Sequence, residues 1–461
     1  MGRRWYTGLG GLLLWLSAVA PAGAHSLGAS RLETPIPLSL LYAGAGATVA
    51  ITAGWLGSTR NPGFTRVAPR TIASLPPSVA TVARTGGRIG FFVAFVGVLA
   101  AGLTGPSGWT RNFATIFVWP LWLKGVGLFA ILFGSPWRIL SPWRTLYRGL
   151  VALEGRDLSL AERYPEKLGE WPALVGFLVW IGIVENLTQI PRLPAGTAAV
   201  VAVYAIVMVL GGVVFGEQWF DRADALAVLY RLFGRAAPIR PDRTRDGGYE
   251  FALRAPWRGA TSAIPSFVLV GFVVATVYTV SFDGFTYTPE YQTLLFAVRD
   301  ITESGPQVSI LVYLCGLLLF VVSFFGVAYA VASIGGGDDW RAAAKALAPT
   351  VIPIAVAYEF VHNYPYVLDY TGRLLTVLVD PLLAGPETIS LTGWLSVQLL
   401  WVSQIVLIVG GHVIAVVAAH WVTTDRYPDR RRALYAHVPV TALMIGYTIL
   451  SLWIISRPVA A

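Results

Sequence analysis

Five histidines and a few charges inside apolar stretches are the residues of this chain that could do chemistry. The histidines are His25, His362, His412, His420 and His437. Glu359 and His362 are three residues apart and share one helix face. Ala22-Gly23-Ala24 has the small-x-small form of a signal-peptidase site. Cleavage after Ala24, the alternative being an uncleaved signal anchor, would make His25 the mature N-terminus, where an α-amine and an imidazole together form a chelate suited to copper or zinc. His25, His362, Glu185 and Glu359 therefore form a candidate transition-metal site. Lys124 sits near the centre of an apolar stretch, where a charge costs about 2.5–3.5 kcal/mol to insert, so it calls for a partner or a water-filled cavity. A structural Lys124–Glu359 ion pair is one reading and a proton or ion pathway the other. His412 follows Gly410 and Gly411, and His420 comes eight residues later. That spacing turns about 80° and rises about 12 Å, so the two histidines mark successive points on a path and do not share a metal. Gln398 and Gln404 lie on the same stretch and suggest a polar stripe facing its neighbours. His437 stands in a basic segment and reads as interfacial.

The elements that must hold these groups are membrane helices. Of 461 residues, 55% are apolar and only 13% charged, and the mean hydropathy is +0.63. A soluble chain carries about 25% charged residues, so this one cannot cover a soluble surface. The expected fold is an all-α polytopic helix bundle. Residues 1–24 read as a signal peptide with Arg3 and Arg4 as its basic region, and 25–461 as a single transmembrane domain. Ten stretches are long enough to span: about 36–56, 89–106, 114–133, 171–190, 197–216, 264–282, 308–333, 347–366, 394–421 and 439–456. Two longer loops, about 134–170 and 217–263, fall on the cytoplasmic side. The five inside loops carry 5, 6, 8, 2 and 4 Lys and Arg, and the six outside segments carry one each. The positive-inside rule is met at every loop, which places the chain in the cell membrane with both mature ends outside. The net charge of +9 is thus an orientation signal and a contact for anionic lipid headgroups, not a nucleic-acid surface. Seven tryptophans (109, 137, 143, 171, 257, 340 and 394) fall at the predicted interfaces.

The long inside loops carry related motifs. Ser135-Pro136-Trp137-Arg138 is followed by Ser141-Pro142-Trp143-Arg144, and Ala255-Pro256-Trp257-Arg258 closes the second loop. Such Trp and Arg residues suit interfacial amphipathic helices, and the matches form at most a weak internal repeat. The outside loops at about 283–307 and 367–393 are acidic, with Asp283, Glu290, Asp300 and Glu303 in the first and Asp369, Asp380 and Glu387 in the second. They read as solvated loops or as attractors of cations. Gly335-Gly336-Gly337-Asp338-Asp339 reads as a helix stop and turn. The single cysteine, Cys315, excludes an intrachain disulfide and a Cys-ligated cluster. No nucleotide, haem or iron–sulfur signature is present, and without a Walker loop ATP-driven transport is not expected.

Several stretches resemble a family of bacterial and archaeal multi-pass membrane proteins named fenitrothion hydrolases. The resemblance is carried by His25 with Pro35-Ile36-Pro37, by Ser141-Pro142-Trp143-Arg144, and by Tyr164 to Pro172. It continues through Glu185, Phe282-Asp283-Gly284, Pro353-Ile354-Ala355 with Tyr358 and His362, Gly411-His412-Val413, and His420. The name implies hydrolysis of an organophosphate ester, for which a metal-activated water would serve. From the residues themselves, the leading expectation is a copper-type site that takes up or delivers metal at the outer face, with a membrane subunit or a periplasmic-side metal carrier as partner. A metal-dependent hydrolase and a non-catalytic scaffold or subunit are the alternatives.

Overall fold

Long apolar runs dominate the architecture. The computed structural model describes residues 37–59, 68–156, 158–161, 163–337, 339–379 and 389–457. The expected signal peptide and His25 lie outside these residues. Among the described residues, nine helices are long and apolar enough to cross a membrane. They are α1 (Leu38–Ser58), α2 (Pro77–Thr104), α3 (Phe113–Phe133), α7 (Pro194–Phe215), α10 (Phe267–Thr286), α12 (Val308–Gly335), the continuous run Trp340–Val379, α15 (Val397–Arg426) and α16 (Arg430–Ile455). The run Trp340–Val379 comprises α13 (Trp340–Leu347), a single 3₁₀ turn and α14 (Ile352–Val379). The stretch expected at 171–190 is a shorter helix, α6 (Trp171–Glu185). The fold is thus a largely α-helical bundle of the multi-spanning kind.

Local chemistry sets the helix ends. Ser266, Ser396 and Asp429 accept backbone N–H bonds as N-caps of α10, α15 and α16, which satisfies donors that the helix itself leaves open. Gly336, at φ +79°, ends α12, and Asp339 caps α13, so the helix stop that the sequence implied falls at Gly336. α10 and α14 are largely buried, whereas α12 exposes Leu311, Leu318, Leu319 and Val322 on its outer side, where lipid tails would cover them.

Four expectations are corrected. The fold is not wholly α-helical, because β1 (Arg70–Leu75), β2 (Ile239–Arg243) and β3 (Tyr249–Leu253) form an antiparallel sheet in the order β1-β3-β2. The strands are only five or six residues long, too short for alternation to stand out in the sequence, and Pro241 is tolerated because β2 is an edge. The acidic stretch at 283–307 is not all loop: Asp283 is buried within α10, and α11 (Pro289–Thr302) occupies most of the remainder. Much of 367–393 is likewise the end of α14. Finally, the side chains of Trp137, Trp143 and His437 are buried within the protein and do not lie open at its surface.

The basic segments gather at one end of the bundle. The sheet joins the segment after α1 to the one after α7. Ile264 N–H donates to the Lys345 carbonyl, Arg426 reaches the Asp339 carbonyl, and Arg430 reaches the Gly57 carbonyl. Arg138 and Arg144 both pair with Asp221, tying in the remaining basic loop. At the opposite end Arg457 pairs with Glu290, and the Tyr42 hydroxyl bonds Ser456.

Candidate functional site

Two π-helical segments deliver the charges at the centre of the bundle. In α3 the backbone widens to π geometry over Phe117–Gly125, a segment that contains Pro120 and Lys124. Proline lacks an N–H and breaks the α-helical ladder, which favours such a bulge. In α6 the same geometry covers Leu178–Glu185 and ends on Glu185. π-bulges are rare and cluster at functional sites. Here each one brings an ionisable side chain to the same point.

The Lys124 ammonium lies 3.1 Å from Glu185 Oε1, 3.6 Å from Glu359 Oε1 and 3.7 Å from Asp283 Oδ2. Four helices, α3, α6, α10 and α14, each contribute one of these groups. His362, one turn along α14 from Glu359, places Nε2 3.7 Å from Asp283 Oδ2 and stacks on Tyr358. The side chains of Lys124, Glu185, Asp283 and Glu359 are all at most 9% exposed, while His362 is 20% exposed. A cavity of 20 Å³, room for about one water, borders Lys124, Asn186, Thr279, Asp283 and Glu359. The cluster lies in the half of the bundle away from the basic end, since Asp283 and Glu185 close the far ends of α10 and α6.

Neighbouring elements fix this geometry. The Tyr230 hydroxyl, on α9 (Ala225–Phe233), lies 3.1 Å from the Trp122 carbonyl and 3.0 Å from the Leu123 carbonyl, directly before Lys124. Gly182 gives α6 a flat side on which the Tyr313 hydroxyl rests, and any Cβ there would collide with it. That hydroxyl also bonds Thr279 Oγ1 at 2.7 Å. Gly182→Ala should therefore lower stability by about 1–3 kcal/mol through overpacking. Thermal unfolding in detergent would read the loss. Gly182→Ala with Tyr313→Phe should recover part of it, and no recovery would place the strain elsewhere.

A second buried carboxylate sits nearer the basic end. Asp224 accepts from Trp137 Nε1 at 2.8 Å, Trp143 Nε1 at 2.7 Å, the Tyr204 hydroxyl at 3.1 Å and Leu226 N–H at 3.0 Å. The two Ser-Pro-Trp-Arg motifs thus converge: both tryptophans donate to Asp224 and both arginines pair with Asp221.

Of the residues singled out by sequence, Lys124, Glu185, Glu359 and His362 belong to one site, and the Lys124–Glu359 pair is present. His25 lies outside the described residues. Among the described residues, no group of three or more His, Cys, Asp or Glu side chains could hold a metal ion. The point where the three carboxylates converge is taken by the Lys124 ammonium. His412 is buried on α15, and its Nδ1–H donates back to the Ile408 carbonyl at 2.8 Å. Gly411 lets α15 approach Ala357 and Pro353 of α14 too closely for a side chain. Gln404 is half-buried and Gln398 exposed, so the stripe turns partly outward. His420 packs against His437. In the sequence, Asp283 reads as the start of a loop because its charge ends the apolar run. The Thr276, Thr279, Asp283 spacing is the signal that would have placed it on one helix face.

No protein-family model matches the chain, and no curated protein or solved structure is significantly similar to it.

Proposed function

We propose that the protein is a cell-membrane transporter, not driven by ATP, in which the Lys124 cluster exchanges protons for a cation. Its ten spans include the short helix α6, and the basic end faces the cytoplasm. The observation that carries this reading is one ammonium among three buried carboxylates. Glu185 and Glu359 alone outnumber the charge of Lys124. Unneutralised carboxylate is very costly in a low-dielectric interior, so the cluster takes up a proton or a second cation. Binding a cation then expels a proton, either from a protonated carboxyl or from the displaced lysine as it becomes a neutral amine, which couples the two movements. His362, the most exposed of the group, stands at the entry. Ionisable groups inside spans commonly mark such pathways, and interrupted helices near the middle of the membrane commonly form the binding site.

A transition-metal reading is favoured by one contact, the His362 imidazole beside the Asp283 carboxylate. Copper or zinc would enter there, with Glu185 and Glu359 assisting. As arranged, the donors do not fit a resident metal, because the ammonium occupies the point where they converge. With the ammonium at that point, the arrangement leaves no place for the metal-activated water that the hydrolysis implied by the resemblance would use.

Proteoliposomes holding a pH dye would test the proposal, with Na⁺, K⁺, Zn²⁺ or Cu⁺ added outside in turn. One of these ions should change the lumenal pH, and Glu185→Gln should slow that change at least about tenfold, the equivalent of about 1.4 kcal/mol. No pH change with any ion, or an unchanged rate in the variant, would overturn the reading.

A further inference from the structure

A cavity of 580 Å³ lies between α10, α11, α12 and α16, in the same half of the bundle as the Lys124 centre. α10 separates the two. Its Tyr278, Ser281, Phe282 and Phe285 line this cavity, whereas Thr279 and Asp283 border the small one beside Lys124. The walls are almost wholly carbon, and among the described residues no charged side chain lines them. The hydroxyls of α10 in the wall are already satisfied. Tyr278 donates to the Tyr313 carbonyl at 2.8 Å, and Ser281 to the Val277 carbonyl at 2.9 Å. One side of the cavity is open. Leu311, Cys315 and Leu319 of α12 and Leu294 of α11 line it and are also exposed at the protein surface.

These features select the occupant. A water held inside a protein needs two to four polar partners, and these walls offer almost none. Ions and polar solutes are excluded for the same reason. A helix from a second copy is about 10 Å across, so the cavity would hold little more than one turn of it. A hydrocarbon chain fits. An apolar cavity of about 150 Å³ binds one benzene, so by the same measure this one takes about twenty carbons, the bulk of one long acyl chain. The open side lies along membrane-spanning helices, where acyl chains are the solvent. Lipid gains no hydrophobic free energy by moving from the bilayer to the protein, so retention rests on close contact with preformed walls. We propose that this cavity binds one acyl chain of a membrane phospholipid. The chain enters sideways past Cys315 and Leu319 and lies against Phe282 and Phe285 of α10. The site does not depend on the transport reading.

The test uses the full-length protein, extracted from membranes in a mild detergent. Native mass spectrometry should find one phospholipid held by each chain. A harsher detergent should strip it, and vesicles of phosphatidylethanolamine and phosphatidylglycerol should restore it. Ser281→Phe and Cys315→Trp each place a ring in the cavity and should cut the retained lipid by at least about tenfold. Leu318→Trp, on the exposed side of α12 but outside the cavity lining, should retain it in full. Cys315 is the single cysteine of the chain, so it also reports on wild type. Its alkylation by a membrane-permeant maleimide should be faster in stripped protein and slow again once phospholipid rebinds. Failure of wild type to hold or rebind lipid, or full retention in both ring variants, would overturn the proposal. So would oxidative crosslinking of Cys315 between two copies in the native membrane, which would show that a second copy covers the opening. Should the ring variants not fold, the wild-type alkylation rate decides it, and a rate blind to phospholipid would sink the idea.

Discussion

Lys124→Met is expected to destabilise the protein by about 3–5 kcal/mol, the usual cost of removing one partner from a buried ion cluster. The methionine fills a similar volume, so the loss is electrostatic. Three carboxylates that shared an ammonium at 3.1–3.7 Å would face one another without it. Combining Lys124→Met with Glu185→Gln, Asp283→Asn and Glu359→Gln should restore most of that stability, because the neutral amides need no counter-ion. Unfolding of the single and combined variants in detergent forms a cycle that isolates the coupling. A Lys124→Met loss below about 1 kcal/mol, the range of an exposed pair, would show that the carboxylates do not depend on this lysine. The combined variant should be well folded and inactive in the liposome assay. That result would separate a centre retained for transport from one retained for packing.

Asp224→Ala is the second large effect. It removes the acceptor of two tryptophan N–H groups, a tyrosine hydroxyl and the Leu226 N–H in one step. Hydrogen bonds to a charged acceptor contribute about 1.5–3 kcal/mol each, and every orphaned donor adds a desolvation cost. A total loss above about 3 kcal/mol is expected even if the side chains partly relax. Loss of the N-cap of α9 contributes about 1 kcal/mol of that. Asp224→Asn should fall between the variant and wild type, since the amide oxygen still accepts. Near-ultraviolet circular dichroism should report the freed indoles. The effect should also reach the Lys124 centre, because Tyr230 on α9 holds the Trp122 and Leu123 carbonyls. Unchanged tryptophan signals in Asp224→Ala would show that Trp137 and Trp143 are held by packing alone.

Much of the helix layout was legible before any coordinates. Runs of apolar residues near 20 long have few structural alternatives, so helix positions followed from length and hydropathy. Charge counts sorted the loops into two sets, and the contacts from Arg430 to Gly57 and from Arg457 to Glu290 join loops within the sets, not across them. Lys124, Glu185 and Glu359 stood out because a charge in an apolar run demands compensation. Asp283 and Asp224 were less legible. Each lies at the edge of an apolar run, where a carboxylate normally meets water, and only packing shows that it does not. The tryptophans of the Ser-Pro-Trp-Arg motifs misled for the same reason: amphipathic rings suit an interface as well as a buried acceptor.

By itself the sequence determined a bundle of long apolar helices and the existence of buried charges in need of partners. These are properties of single segments, set by the cost of burying backbone and charge in hydrocarbon. Only the tertiary structure decided which charges meet. The choice of Glu185, Asp283 and Glu359 around Lys124, and of His437 against His420, depends on helix rotation and crossing. Those are set by close contacts such as Gly182 on Tyr313 and Gly411 on Ala357, many residues apart in the chain. Packing at such contacts is short-ranged, so no local pattern of residues encodes it.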